Sequence, residues 1–106
     1  MFYQKIDYDE LKSMMKQKDV LLLDVRQTED YDDKHFDGFI NIPIQYLLAN
    51  LHKIVEYKDK KIIIVCVHGK QSDVACQLLY IHGYKNLYEL DGGVEEILYG
   101  ESVEEF

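Results

Sequence analysis

Two stretches restrict the fold of this chain more than any others. Asp19–Val25, reading DVLLLDV, and Lys61–Val65, reading KIIIV, are apolar almost throughout and do not alternate with polar residues. A strand with one solvated face alternates, so these runs read as strands covered on both sides, as in a parallel sheet with helices packed on each face. The segments between them supply the helices. Asp7 followed three residues later by Glu10 forms a capping box, with Leu11, Met14 and Met15 on one apolar face. QTEDYDDKHFDG is polar and accommodates a short helix before Gly38, and Gln45–Ile54 has helical spacing at Leu47, Leu48 and Leu51. Asp73–His82 reads as a helix stopped by Gly83. YQKI, FINIP and NLYEL read as further strands, GGVEEILYG as a last helix and ESVEEF as a frayed acidic tail. The expected class is therefore α/β, a small and mainly parallel sheet flanked by helices on both faces.

A chain of 106 residues can bury a core without disulfides or metals, and one domain spanning 1–106 is expected, its core at about 7–98. The formal net charge of -8 argues against nucleic acid, whose phosphates call for Lys and Arg. The first residues, MFYQKI, lack the pattern of a signal peptide, and no apolar run approaches the ~20 residues that cross a bilayer. No membrane partner and a cytoplasmic, reducing location are expected. The two cysteines form no disulfide framework and lack the clustered partners of a zinc site.

One of those cysteines, Cys66, ends the KIIIV strand and opens the loop VHGKQ. Ligands of parallel sheets bind beyond the carboxyl ends of strands, where loops enter helices. Backbone N–H groups at such a loop can curl into an anion-binding nest backed by the helix dipole, with Gly69 free to take a positive φ and Lys70 adding charge at the rim. The same partial charges favour thiolate over thiol. The residues describe an anion cradle with a sulfur nucleophile at its base; a cysteine in that position can also be a small buried hydrophobe.

The segments LLLDVRQTEDYDDKHFDGFINIP, VCVHGKQS and NLYELDGG occur in the order and spacing of the rhodanese-like, or sulfurtransferase, domain, which the chain resembles from about Asp7 to Leu98. The resemblance implies that Cys66 is the catalytic cysteine and that residues 66–71 form the active-site loop. It implies a thiolate that takes sulfur from a donor such as thiosulfate, carries it as a persulfide and passes it to a thiol or to cyanide, with no metal or organic cofactor. The backbone N–H groups of Val67, His68, Gly69, Lys70, Gln71 and Ser72 would bind the donor and hold the persulfide. Three positions depart from the family pattern. Gln71 stands where many members carry arginine, Lys34 where a glycine is usual, and Ile97 where a tryptophan is common. The run CVHGKQS nevertheless resembles the loop of some single-domain bacterial thiosulfate sulfurtransferases that also lack the arginine. Related phosphatases and arsenate reductases place an arginine six positions after the cysteine; here that residue is Ser72, and Arg26 is the only arginine in the chain.

Around the loop, Asp24 and Arg26 are expected to support it from the neighbouring strand, with Arg26 paired to Glu29 or Asp30. Ser72 is expected to cap the following helix, with a second role of hydrogen-bonding the sulfur. His35 reads as a packed loop residue. Cys76 falls mid-helix, about three turns from Cys66 and beyond disulfide reach, and reads as packing. The expected partners are a small anionic sulfur donor and a thiol acceptor, which can be a sulfur-acceptor protein. Two other functions are open on the same residues: a sulfur-relay carrier working with a protein partner, and a non-catalytic binding or regulatory module.

Overall fold

The computed structural model describes residues 2–104, with side chains to residue 100. Its order is β1 (Gln4–Ile6), α1 (Tyr8–Met14), β2 (Val20–Asp24), α2 (Thr28–Asp33), β3 (Ile40–Asn41), three 3₁₀ turns, β4 (Lys61–Val65), α3 (Lys70–Ile81), β5 (Asn86–Leu90) and α4 (Glu95–Glu104). The five strands form one sheet in the order β1-β5-β4-β2-β3, and every pairing is parallel. β4 is its centre. Ile62, Ile63, Ile64 and Val65 are all fully buried, which explains why the run has no polar alternation.

Each sheet face has its own apolar cluster. Leu21, Leu23, Ile62, Ile64 and Leu87 pack under Ala75, Cys76 and Leu79 of α3 and under Leu47 and Ile54 of the 3₁₀ segment. On the other face Ile6, Ile63, Val65 and Leu90 meet Leu11 of α1 together with Phe36, Phe39 and Val94. The α1 capping box forms as read: Asp7 Oδ1 accepts the Glu10 N–H at 2.8 Å, and Glu10 Oε1 accepts the Asp7 N–H at 3.1 Å.

Three expectations are corrected. Gln45–Ile54 is not one helix. It runs as 3₁₀ turns at Ile44–Tyr46 and Leu48–Lys53, followed by Val55–Tyr57, and Asn50 has non-helical φ/ψ. The Asn50 side chain donates to the Tyr46 carbonyl at 2.8 Å, a local bond that competes with the helical ladder. The leucine spacing still reports burial, since Leu47 is fully buried and Ile54 closes the segment over the core. α3 begins at Lys70, three residues earlier than read, because Gly69 at φ 100° starts the helix. The backbone of the acidic tail continues α4 through Glu104, while 105–106 lie outside the described residues.

Arg26 does not pair with Glu29 or Asp30. Its guanidinium lies against Asp24, with Nη2 2.8 Å and Nε 3.1 Å from Oδ2, and Nη2 also donates to the Lys34 carbonyl at 2.6 Å. Both side chains are about 1% exposed. Asp24 ends a buried strand and needs a partner inside the protein, whereas Glu29 and Asp30 lie on the exposed first turn of α2 and are solvated. The Arg26 amide also donates to Asp24 Oδ1 at 2.9 Å, and Asn41 Nδ2 donates to the Asp24 and Arg26 carbonyls, so the pair fixes the chain leaving β2 to β3. Arg26→Gln leaves Asp24 buried without a counter-charge. It is expected to cost about 3–5 kcal/mol in urea unfolding; a loss under about 1 kcal/mol would show that the pair is not needed.

Candidate active site

Cys66 directly follows β4, and its side chain is about 1% exposed. Its sulfur accepts the Gly69 N–H at 3.0 Å and the Ser72 N–H at 3.2 Å, so the loop curls around the atom. Gly69 makes this turn possible with a left-handed φ that other residues rarely adopt. The amides of Lys70 and Gln71 belong to the first turn of α3, where no preceding helical carbonyl is available to them. Cys66, Val67, His68, Lys70 and Gln71 line an opening of about 240 Å³. His68, Lys70 and Gln71 are exposed at its rim, and Val67 and Gly69 are half-buried.

The loop is held from behind by the turn after β5. The Val94 amide donates to the Cys66 carbonyl at 2.9 Å and the Glu95 amide to the Val67 carbonyl at 3.2 Å. This contact requires glycine: a Cβ on Gly93, at φ +77°, would stand 2.1 Å from the Val67 carbonyl oxygen. Gly93 is therefore part of the loop's foundation.

Of the residues singled out from sequence, the structure brings Cys66 and 67–72 together in one loop. Arg26 stays in its ion pair with Asp24 and lines a separate hollow of about 360 Å³ with Asp30, Asp33, Val67, Glu95 and Tyr99. Asp24 and Arg26 thus support the loop after β2 and do not line the opening at the sulfur. Ser72 is not the cap of α3, because Gly69 holds that position and Ser72 sits inside the first turn. Its second expected role is the one seen: Ser72 Oγ lies 3.4 Å from the sulfur. His35 is a loop residue stacked on Tyr31, with Nδ1 2.7 Å from the Tyr31 carbonyl. Cys76 is packed and fully buried, and burial pushes its thiol well above the ordinary range. It lies nearer the sulfur than three turns, however, since Ser72 beside Cys66 is only one turn away along α3.

Beneath the loop is a polar cluster that the sequence reading missed. Glu89 of β5 is about 1% exposed, and its Oε2 accepts the Ser72 hydroxyl at 2.6 Å. Lys5 Nζ stands 3.6 Å from Glu89 Oε1, and the Tyr3 hydroxyl donates to Asp73 Oδ1 at 2.6 Å. Burial, with the Asp73 carboxyl alongside, pushes the Glu89 acid up to about 7. Hydrogen bonds from Glu89 and Tyr3 hold Asp73 below the ordinary range. The available signal was a charged residue at an inward position of NLYEL, on the same face as the core residue Leu87.

With this geometry in place, comparison with known proteins gives a family. The model of the rhodanese-like domain matches residues 7–99. The chain belongs to the rhodanese-like domain family. A thiosulfate sulfurtransferase GlpE of Coxiella burnetii is 29% identical over 100 residues, covering 90% of this chain and 87% of that protein. A tRNA uridine(34) hydroxylase of Buchnera aphidicola is 32% identical over 89 residues, and the match covers 80% of this chain. The chain spans only 28% of that hydroxylase's length. Among solved structures, a rhodanese-related protein of Thermoplasma volcanium superposes with a TM-score of 0.78 at 31% identity, covering 92% of this chain and 93% of that one. These matches agree with the parallel sheet flanked by helices. Among the described residues no helix is long and apolar enough to cross a membrane.

Gly93→Ala is expected to destabilise the rhodanese-like fold by about 2 kcal/mol or more in urea and to slow Cys66 alkylation, because the added methyl displaces the Val67 carbonyl. A variant of unchanged stability and reactivity would refute that role. A second expectation follows from Glu89. Its acid is raised from 4.5 to about 7, so the folded state holds a proton that the unfolded state has lost. Its contribution therefore falls as pH rises through that interval and stays low above it. Asp73, shifted downwards, titrates below this window. Relative to the parent, Glu89→Gln should gain thermal stability between about pH 5 and about pH 8, on the order of 1 kcal/mol or more. Parallel melting curves across that range would contradict the assignment.

Proposed function

We propose that the protein is a sulfurtransferase that carries sulfane sulfur on Cys66, from thiosulfate or a persulfide donor to a thiol or cyanide. The observation that supports this most directly is the Cys66 sulfur at the base of an opening, with the Gly69 and Ser72 amides 3.0 and 3.2 Å away. Two N–H donors stabilise a negative charge on sulfur, and the first turn of α3 adds the positive end of its dipole. The thiolate attacks the outer sulfur of thiosulfate. A new S–S bond forms, the bond to the sulfonate breaks, and its electron pair leaves with sulfite. An acceptor thiolate or cyanide then attacks the outer sulfur of the persulfide, and the electron pair of the broken S–S bond returns to Cys66. Covalent catalysis of this kind gives ping-pong kinetics.

The exposed rim supplies the charge the donor needs. Lys70 is a cation at the mouth where Gln71 brings none, and His68 is a second polar group there. In an acidic protein this local positive charge, together with the amides of the loop, admits a small anion. The same reading takes residues 1–106 as one working unit, in the reducing cytoplasm, with a thiol acceptor that can be carried by a protein.

The test is the intact mass of the protein after incubation with thiosulfate. A gain of one sulfur atom, removed by cyanide and absent in Cys66→Ser, is the expected result. A folded protein that gains nothing at high thiosulfate would overturn the thiosulfate reaction. Loading by a low-molecular-weight persulfide alone would then favour the relay carrier, and no loading by either would favour a binding module.

A further inference from the structure

The reaction just proposed uses Cys66 and the loop amides and leaves the buried carboxyl group behind them without a task. Glu89 pairs with Ile64 across the β4–β5 ladder and, like Leu87, points to the sheet face covered by α3. From α3 it meets the Ser72 hydroxyl and Asp73, with Cys76 in the same core. From β1 it meets Lys5, with Tyr3 just before that strand bound to Asp73. From the end of β4 it faces Cys66 across Ser72. His68 and Lys70 are exposed at the mouth.

The Ser72 hydroxyl has one proton and two acceptors for it, Glu89 Oε2 at 2.6 Å and the Gly69 carbonyl at 3.0 Å. The shorter contact to the carboxylate takes it. The lone pairs of Ser72 Oγ are then free for the thiol proton of Cys66, whose sulfur is 3.4 Å away. This arrangement forms a continuous path that runs inward from the sulfur at the base of the opening to hydroxyl to carboxylate, through residues that are all buried.

We propose that Glu89, acting through the Ser72 hydroxyl, is the proton acceptor for the Cys66 thiol. The S–H proton passes to Ser72 Oγ as the Ser72 proton passes to Glu89, leaving a thiolate, an unchanged serine and a neutral carboxylic acid. One negative charge moves from carboxyl to sulfur, away from the ionised Asp73 that stands beside Glu89 in both states. The neutral acid keeps the proton beside Asp73 while the thiolate attacks. It returns the proton by the same path when no sulfur is being carried. Glu89 touches neither donor nor acceptor; it positions the proton on which the reactive form of Cys66 depends. The upward shift of its acid by burial and by Asp73 makes it a competent proton holder near neutral pH.

Two acids that share one buried negative charge titrate as a pair, in two steps. The rate of Cys66 alkylation by iodoacetamide, followed by mass across pH, reads those steps directly, and Cys66→Ser gives the background from Cys76. The parent protein is expected to show two rises separated by a plateau, about one pH unit or more apart. Glu89→Gln, which keeps an acceptor for the Ser72 hydroxyl but no titrating group, is expected to show one. Ser72→Ala keeps the residue 72 amide on the sulfur and removes the bridge, and is expected to merge the two rises. Thermal melts confirm that each variant is folded. A single rise in the parent would overturn the assignment. So would two rises that persist in Glu89→Gln, or two that persist in Ser72→Ala.

The catalytic task given to this path rests on Cys66 being the sulfur-carrying nucleophile, but alkylation reads that residue with no sulfur donor present. A two-step profile without persulfide formation would retire the sulfurtransferase reading and keep the proton path. Persulfide formation with a single-step profile would do the reverse.

Discussion

A sheet covered on both faces leaves its polar groups only one place to meet solvent or ligand, the ends of its strands. Every charged group that lies even slightly inside that edge must find its partner within the protein. The three strands at the centre each meet this requirement differently. β2 ends in Asp24, neutralised by Arg26 two residues on. β4 is followed by Cys66, whose sulfur is met by loop amides. β5 carries Glu89, met by Ser72 and Lys5. The site is what results when these three solutions lie side by side at one edge of the sheet.

Their adjacency explains a chemical balance that composition alone would argue against. For the proposed reaction, an acidic chain has to gather a negatively charged sulfur and an anionic donor at one point. Its only arginine is committed to a buried pair and gives the mouth no charge. Backbone dipoles do most of that work: the Gly69 and Ser72 amides act on sulfur at contact distance and bring no counter-ion that would need its own partner. The loop can take that shape because Gly93 lets the turn after β5 press directly on the Val67 carbonyl.

Much of this was legible in the sequence, for definite reasons. Uninterrupted apolar runs announced strands buried on both faces, and Asp7 with Glu10 announced the start of α1, because both signals are local and need no tertiary contact. Cys66 and Gly69 were legible because a strand tip followed by a tight loop has few uses. Where tertiary geometry intervened, the reading slipped. The leucines of Gln45–Ile54 marked burial correctly, yet the chain crossing from β3 to β4 runs as 3₁₀ turns around Asn50. Arg26 was expected to reach forward to the acidic turn of α2 and instead turns back to Asp24, since the buried carboxylate has more to gain from it than the solvated ones.

By itself, then, the sequence determined the parallel sheet, the two-sided burial and the place of Cys66 at the tip of β4, all set by patterns within a dozen residues. Only the tertiary structure decided which groups gather around that sulfur. Tyr3, Lys5, Ser72, Asp73 and Glu89 come from β1 and its approach, from α3 and from β5. They converge because β5 lies between β1 and β4, an order fixed by packing both sheet faces at once and not by any local residue preference. A glutamate in a short strand reads as a solvated edge until that order places it under the Cys66 loop, where burial raises its acid above the ordinary carboxylate range.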